Sequence, residues 1–195
     1  MQGQTVPPAT GGMVNRADEA YRWLAYGFML VRGILVIVLL GIVVHLFVAT
    51  VFRISGESML PNFQDGQFIL VDRISYQFNP PHRGDVIVLQ FPGDPEQRKF
   101  IKRVVGLPGE QIEVKAGAVF IDDAPLVEDY LPTNLYTDPE IQKVLRADEV
   151  FVMGDNRPNS NDSRFFGPLP VNFIIGKSQA ILSTGAFGWV AQPAF

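Results

Sequence analysis

Gly33 to Phe52 reads GILVIVLLGIVVHLFVATVF, twenty residues without a formal charge. A helix rises about 1.5 Å per residue, so such a run spans about 30 Å, the thickness of a bilayer's hydrocarbon. The apolar region of a cleaved signal sequence is typically about 7–15 residues, and no small-x-small cleavage site follows this one. The run reads as a retained transmembrane helix over residues 29–52. It divides the chain into a cytoplasmic segment, 1–28, the helix, and an extracytoplasmic domain, 53–195. Arg16, Arg22 and Arg32 precede the run and Arg53 follows it. That excess predicts an N-terminus on the cytoplasmic side. Residues 54–195 then lie across the membrane with 12 basic and 18 acidic residues. Tyr21, Trp23 and Tyr26 suit the lipid–water interface. His45, inside the run, reads as a neutral side chain bonded to backbone rather than a proton relay. Residues 1–13 are rich in Gly, Pro and Thr, cannot bury a core and read as disordered.

The rest of the composition narrows the classes. The chain has 195 residues, enough for one ordinary domain beside the helix. Only 18% of residues are charged and the net charge is −4, which argues against a nucleic-acid partner. The absence of cysteine excludes disulfides, a thiol nucleophile and Cys-ligated metal, and two histidines cannot make a three-His zinc site. No cofactor and no metal are expected. Beyond the apolar run the pattern changes to short Val-, Ile- and Phe-rich segments. They cover 52–57, Gln67–Asp72, Asp85–Phe91, Lys99–Val105, Gln111–Lys115, Val119–Ile121, Val150–Gly154 and Gly176–Leu182, separated by Gly, Pro, Asn and Asp. One short helix is expected at Asp138-Pro139, from a capping residue followed by proline. Strands do not alternate with long amphipathic helices. The fold class is therefore mainly β: an antiparallel sheet on a membrane anchor. The apolar C-terminal stretch from Trp189 to Phe195 is too short to span.

Three clusters carry polar residues of chemical interest. Ile54-Ser55-Gly56-Glu57-Ser58-Met59-Leu60-Pro61 follows the apolar run directly. Phe100 to Gly109 sets Lys102 within an apolar strand that ends in a Gly-Pro turn. Gly154-Asp155-Asn156-Arg157-Pro158-Asn159-Ser160-Asn161-Asp162-Ser163-Arg164 follows a third apolar strand. Each has a plainer account: a turn serine, a solvated strand lysine, an Asx-rich turn. The third cluster lacks the spacing and terminal glutamate of a calcium loop. No Gly-rich phosphate loop appears, and Arg83-Gly84-Asp85 reads as a turn entering a strand.

Taken in order behind one membrane span, the clusters resemble the type I signal peptidases of the bacterial Ser-Lys class. Ser55 to Pro61 is similar to that family's nucleophile motif, Lys102 to Glu110 to its lysine motif apart from Glu110 in the last place, and Gly154 to Arg164 to its third motif at every fixed position. The resemblance covers about residues 30–185. It implies a partly closed β-barrel shared with LexA-type repressors, and a membrane-bound serine endopeptidase with Ser58 as nucleophile and Lys102 as general base. It also implies signal-peptide-bearing precursors as substrates, cut after small-x-small sites, and a bacterial plasma membrane or thylakoid-type membrane as the location.

By the same resemblance, Phe52, Ile54, Met59, Phe100 and Ile101 line the substrate pockets, and Gly56 and Ser160 serve the oxyanion and the orientation of the lysine. Asp155, Arg157, Asp162 and Arg164 support the site through ion pairs. Two departures stand out. Gly56 occupies a position where some members carry an oxyanion-binding serine, which leaves backbone N–H groups, chiefly that of Ser58. Asn62 follows Pro61 where threonine is usual, a change expected to shift the turn without touching the chemistry. Arg103 should face away from Lys102, since neighbours on a strand alternate. The competing account is a catalytically degenerate, membrane-anchored β domain that binds a partner protein. The oligomeric state is not legible.

Overall fold

A computed structural model describes residues 16–44, 48–91, 93–133, 135–183, 186–190 and 193. The readings of residues 1–13 and of His45 lie outside the described residues. The chain divides into two compact units, Met1–Val44 and His45–Phe195.

The first unit is the helix α1, Arg16–Val43. Its stretch Glu19–Val43 is long and apolar enough to cross a membrane, and its side chains are exposed throughout. The twenty-residue apolar run is not one helix, however. Ala49–Arg53 form strand β1, paired antiparallel with β2 (Phe68–Asp72) from Ala49↔Asp72 to Arg53↔Phe68. The bounds 29–52 thus join the end of a helix to the start of a sheet. Thr50, Val51 and Phe52 are β-branched or aromatic and suit a pleated surface, and β2 offers them an edge. A count of uncharged residues cannot separate the two, because lipid and protein core both select apolar side chains.

The second unit is built on antiparallel strands. After β2 come the short helix α2 (Ser75–Phe78), β3 (Val86–Gln90), β4 (Lys99–Gly106), β5 (Gln111–Lys115), β6 (Ala118–Ile121), β7 (Ala124–Pro125), β8 (Ile141–Val144), β9 (Glu149–Met153), helix α3 (Ser163–Phe166), β10 (Leu169–Pro170), β11 (Ile174–Ser183) and β12 (Ala186–Trp189). Among the described residues the larger sheet joins eight of these in the order β1-β2-β11-β3-β4-β9-β10, with β12 on the free half of β11; a smaller sheet runs β7-β6-β5-β8. The large sheet curls. Phe52 and Ile54, from β1 and its end, line the same cleft as Lys99, Phe100 and Ile101 of β4, although three strands separate β1 from β4 in the sheet.

Burial explains which strands were easiest to read. Along β3, Val86 and Val88 join a core cluster with Ile54, Met59, Phe63, Ile69, Val71 and Ile101, while Ile87 and Leu89 join another with Val104, Val150, Val152 and Leu169. Both faces of β3 are covered, so the strand is a continuous apolar run. A third cluster, with Val105, Ile112, Val114, Val119, Leu145 and Phe151, fastens the small sheet to β4 and β9. The short helix expected at Asp138-Pro139 is absent among the described residues. Ile141–Val144 instead pair with β5 from Gln111↔Val144 to Val114↔Ile141. A capping residue before proline signals a turn as readily as a helix, and the open edge of β5 takes the segment that follows.

Candidate active site

The site forms where three segments meet. The first is the turn after β1. Ile54 donates its backbone N–H to Gln67 O and accepts from Gly66 N, continuing the pairing with the chain before β2. Gly56 then reverses the chain at φ +96, a left-handed value that favours glycine. Its N–H donates to Asp65 Oδ1 at 2.8 Å, so it is not a spare oxyanion donor. A tight turn follows, with Leu60 N donating to Glu57 O and Phe63 N to Met59 O. Met59 is 1% exposed and anchors this turn in the core. It therefore lies beneath the cleft rather than on its lining.

The second segment is β4, buried from Ile101 to Gly106. It delivers the Lys102 side chain, 2% exposed, to the turn. Lys102 Nζ lies 2.7 Å from Ser58 Oγ and 3.0 Å from Ile101 O, and stands over the Phe100 ring at 5.5 Å. Burial pushes the amine pKa down from 10.5 to about 8, with Arg164 adding to the fall against the opposing pull of Asp162 and Asp155. Arg103, next in the strand, turns the other way and is also buried.

The third segment follows β9. Asp155 accepts from Arg103 Nε at 2.9 Å and from Arg103 Nη2 at 2.7 Å. Asp162 accepts from Arg164 Nε and Nη2, both at 2.8 Å, and takes the Gly154 N–H at 2.9 Å. Arg157 pairs with Glu128 and donates to Thr137 Oγ1 at 3.1 Å. The four charged residues expected to brace the site are thus all in ion pairs, two of them with partners outside the motif, Arg103 and Glu128. Asn156 binds the nucleophile turn directly: its N–H donates to Ser58 O and its Nδ2 to Glu57 O, each at 3.0 Å. Asn62 reaches back, its Nδ2 donating to Asp155 Oδ2 at 2.8 Å and Tyr130 O at 2.9 Å. Gly154 allows this close approach. A Cβ there would stand 2.4 Å from Ser58 O and 2.2 Å from Ser160 Oγ.

Ser160 differs from its expected part. Its hydroxyl is buried beside Gly154 and has no hydrogen-bond partner among the described residues, while the lysine amine bonds Ser58 and Ile101 instead. Among the described residues the Ser58 N–H also has no hydrogen-bond partner. Asn156, Asn62 and Glu128 were not singled out for these roles from the sequence. Asn156 stood inside the third motif and could have been; Glu128 sits in an acidic stretch that looks solvated.

A cleft of about 40 Å³ is lined by Phe52, Arg53, Ile54 and Ser55 on one wall and Lys99, Phe100 and Ile101 on the other, with Ile69 and Val88 beneath. Four of the five residues expected to line the substrate pockets are here; Met59 is the exception.

Comparison with known proteins places these features in context. The family described as signal peptidase, peptidase S26, matches residues 28–183. A signal peptidase I of Leptolyngbya laminosa is 43% identical over 183 residues, covering 90% of this chain and 86% of that protein. A probable signal peptidase I-1 of Synechocystis sp. is 42% identical over 150 residues, 73% of this chain and 76% of that protein. A chloroplastic thylakoidal processing peptidase 1 of Arabidopsis thaliana is 33% identical over 134 residues, 64% of this chain and 39% of that protein.

Proposed function

Because this chain belongs to the signal peptidase family, peptidase S26, we propose that it is a membrane-anchored serine endopeptidase that removes signal peptides from exported precursors, with Ser58 as nucleophile and Lys102 as general base. The observation that carries the mechanism is the 2.7 Å approach of Lys102 Nζ to Ser58 Oγ in a buried setting.

A lysine works as a base only when neutral. At its ordinary pKa about one amine in a thousand is neutral near pH 7.5; at about 8 roughly a quarter are. The neutral amine accepts the Ser58 hydroxyl proton as Oγ bonds to the scissile carbonyl carbon. The oxyanion that forms needs donors, and the unengaged Ser58 N–H is available for it. The ammonium then protonates the departing amine, which leaves an acyl-enzyme. A water, deprotonated by the same lysine, attacks the ester and restores Ser58. Every proton in the cycle passes through one nitrogen, so no histidine or metal is required.

The cleft supports a small-residue preference. At about 40 Å³ it is narrow, and its apolar walls reward burial of a small side chain. An extended precursor segment laid along it would present alternate side chains to the cleft. The helix α1 supports a single-span anchor with the N-terminus cytoplasmic, in a bacterial plasma membrane or a thylakoid-type membrane, and lipid is then a standing partner.

The test uses full-length protein in detergent and a precursor with an Ala-x-Ala site. Site-specific cleavage should rise with pH through an apparent pKa near 8, since the active form is the deprotonated amine, and should fall at least about 10³-fold in Ser58→Ala and Lys102→Ala. Cleavage retained by folded Lys102→Ala overturns the assignment of the base. Replacing the alanine next to the scissile bond with leucine should abolish processing; equal rates for both precursors overturn the cleft reading.

A further inference from the structure

The nucleophile and the base belong to different segments, 44 residues apart in the chain. Their separation is set by whatever joins those segments, and one of the joints is a carboxylate oxygen shared by both. Asp155 Oδ2 accepts Arg103 Nη2 at 2.7 Å and Asn62 Nδ2 at 2.8 Å. Arg103 follows Lys102 directly on β4. Asn62 lies four residues beyond Ser58, in the turn whose internal bonds run from Glu57 to Phe63. The second hydrogen of the same amide goes to Tyr130 O at 2.9 Å, and the Arg103 guanidinium packs on the Tyr130 ring at 4.1 Å. Both donors of Asn62 are therefore committed to the assembly that holds the strand of the base.

We propose that Asn62 is a positioning residue for hydrolysis: its bond to Asp155 Oδ2 fixes the nucleophile turn against β4 and so sets the distance from Ser58 Oγ to Lys102 Nζ. This inference rests on the Ser58–Lys102 reading above. Three observations support it beyond the bond itself. Asp155 is 1% exposed and already held by Arg103 through both oxygens, so it is a rigid acceptor rather than a flexible one. A charge-assisted bond to such a carboxylate is stronger than a neutral pair. Asn62, Arg103 and Tyr130 also line a cavity of about 360 Å³ open to solvent, together with Phe63, Asp129 and Val190. Water in that cavity competes for Asp155 as soon as Asn62 lets go, so the turn has a ready path to loosen. Finally, Asn156 bonds the turn through its N–H to Ser58 O and its Nδ2 to Glu57 O, both backbone acceptors in the turn; Asn62 adds a tie from the turn to the carboxylate that also binds Arg103 of β4.

The role distinguishes itself from plain structural support by where the loss appears. A misplacement of about 1 Å can cost about 100-fold in rate without weakening substrate binding. Desolvation is the main cause of the low Lys102 pKa, so a turn that loosens and admits water should move that pKa up.

The experiment compares wild type, Asn62→Ala, Asn62→Asp and Asn62→Thr, full-length in detergent, on an Ala-x-Ala precursor, with kcat, KM and the pH profile measured for each and the fold checked by circular dichroism. Asn62→Ala should lower kcat about 10- to 100-fold with KM within about threefold, and its apparent pKa should lie above that of wild type. Asn62→Asp keeps the shape, removes the donors and adds a like charge beside Asp155, so it should lose more. Asn62→Thr keeps one donor and should recover most of kcat. Unchanged kcat in folded Asn62→Ala, a loss confined to KM, or an unmoved pH profile overturns the proposal. If Asn62→Ala does not fold, the contrast between the Asp and Thr variants decides it: equal kcat in both overturns it. A wild type that cleaves no precursor overturns the function reading and this inference with it, whereas an active wild type with indifferent variants overturns this inference alone.

Discussion

Lys102 is held in an environment that suits its neutral form, and that has a cost for the fold. In the unfolded chain its amine titrates near 10.5; in the folded chain it titrates near 8. Below pH 8 both states carry the proton, and the folded state bears the full cost of burying a charge. Between the two values only the unfolded chain binds the proton, so stability rises with pH across that window; above it the cost is gone. The size is about 3 kcal/mol. Lys102→Met, which keeps the buried stem and removes the charge, should therefore abolish hydrolysis and raise stability at pH 7 by about 2–3 kcal/mol. Denaturant titrations of both proteins at pH 7 and pH 10 check this: the advantage should shrink at the higher pH. A variant less stable than wild type at pH 7 would contradict the account of the lowered pKa. Of the residues proposed for catalysis, Ser58 and Lys102 were legible because each sits inside a motif. The bond expected from Ser160 to the lysine is not made, since its hydroxyl has no hydrogen-bond partner among the described residues and a sequence does not say which way a hydroxyl turns.

At the scale of elements, the site is a junction between β4, the end of β9 and the turn after β1. The junction is ionic: Arg103 of β4 and Asp155 beyond β9 are 3% and 1% exposed and paired through two bonds. Removing one partner leaves the other buried and unpaired, which costs about 3–5 kcal/mol. Asp155→Ala should lose stability of that order and most activity, while the double variant Arg103→Met with Asp155→Leu should recover stability without recovering hydrolysis. Urea unfolding beside a cleavage assay separates the two effects; a double variant no more stable than Asp155→Ala would show that the pair is worth more than its packing. Elements also show what a sequence hides. β3 was easy to read because it is apolar over most of its length, and β4 because its Phe, Ile and Val residues flank the charged ones within an unbroken run. β8 was missed because Gln142 and Lys143 are exposed on an edge strand, so the segment has neither alternation nor a continuous run. The end of α1 was misplaced because Val43 to Phe52 is apolar whether it continues a helix or begins a sheet.

At the scale of the whole chain, the three core clusters found among the described residues draw on positions from Ile54 to Val190. The second unit should therefore fold without the first. A chain beginning at residue 45 should keep its β-type circular dichroism and unfold in one cooperative transition; a non-cooperative melt would show that α1 contributes to the core. Inside that unit the site is widely gathered: Ser58 and Lys102 are 44 positions apart, and Asn62 and Asp155 are 93. Contacts of such long range close late when a chain assembles, since the loops between them must first be ordered. A partly assembled chain holds a serine with no base beside it and a lysine in water with its proton in place. On the Ser58–Lys102 reading, a chain whose long-range contacts have not yet closed lacks the pairing that hydrolysis needs.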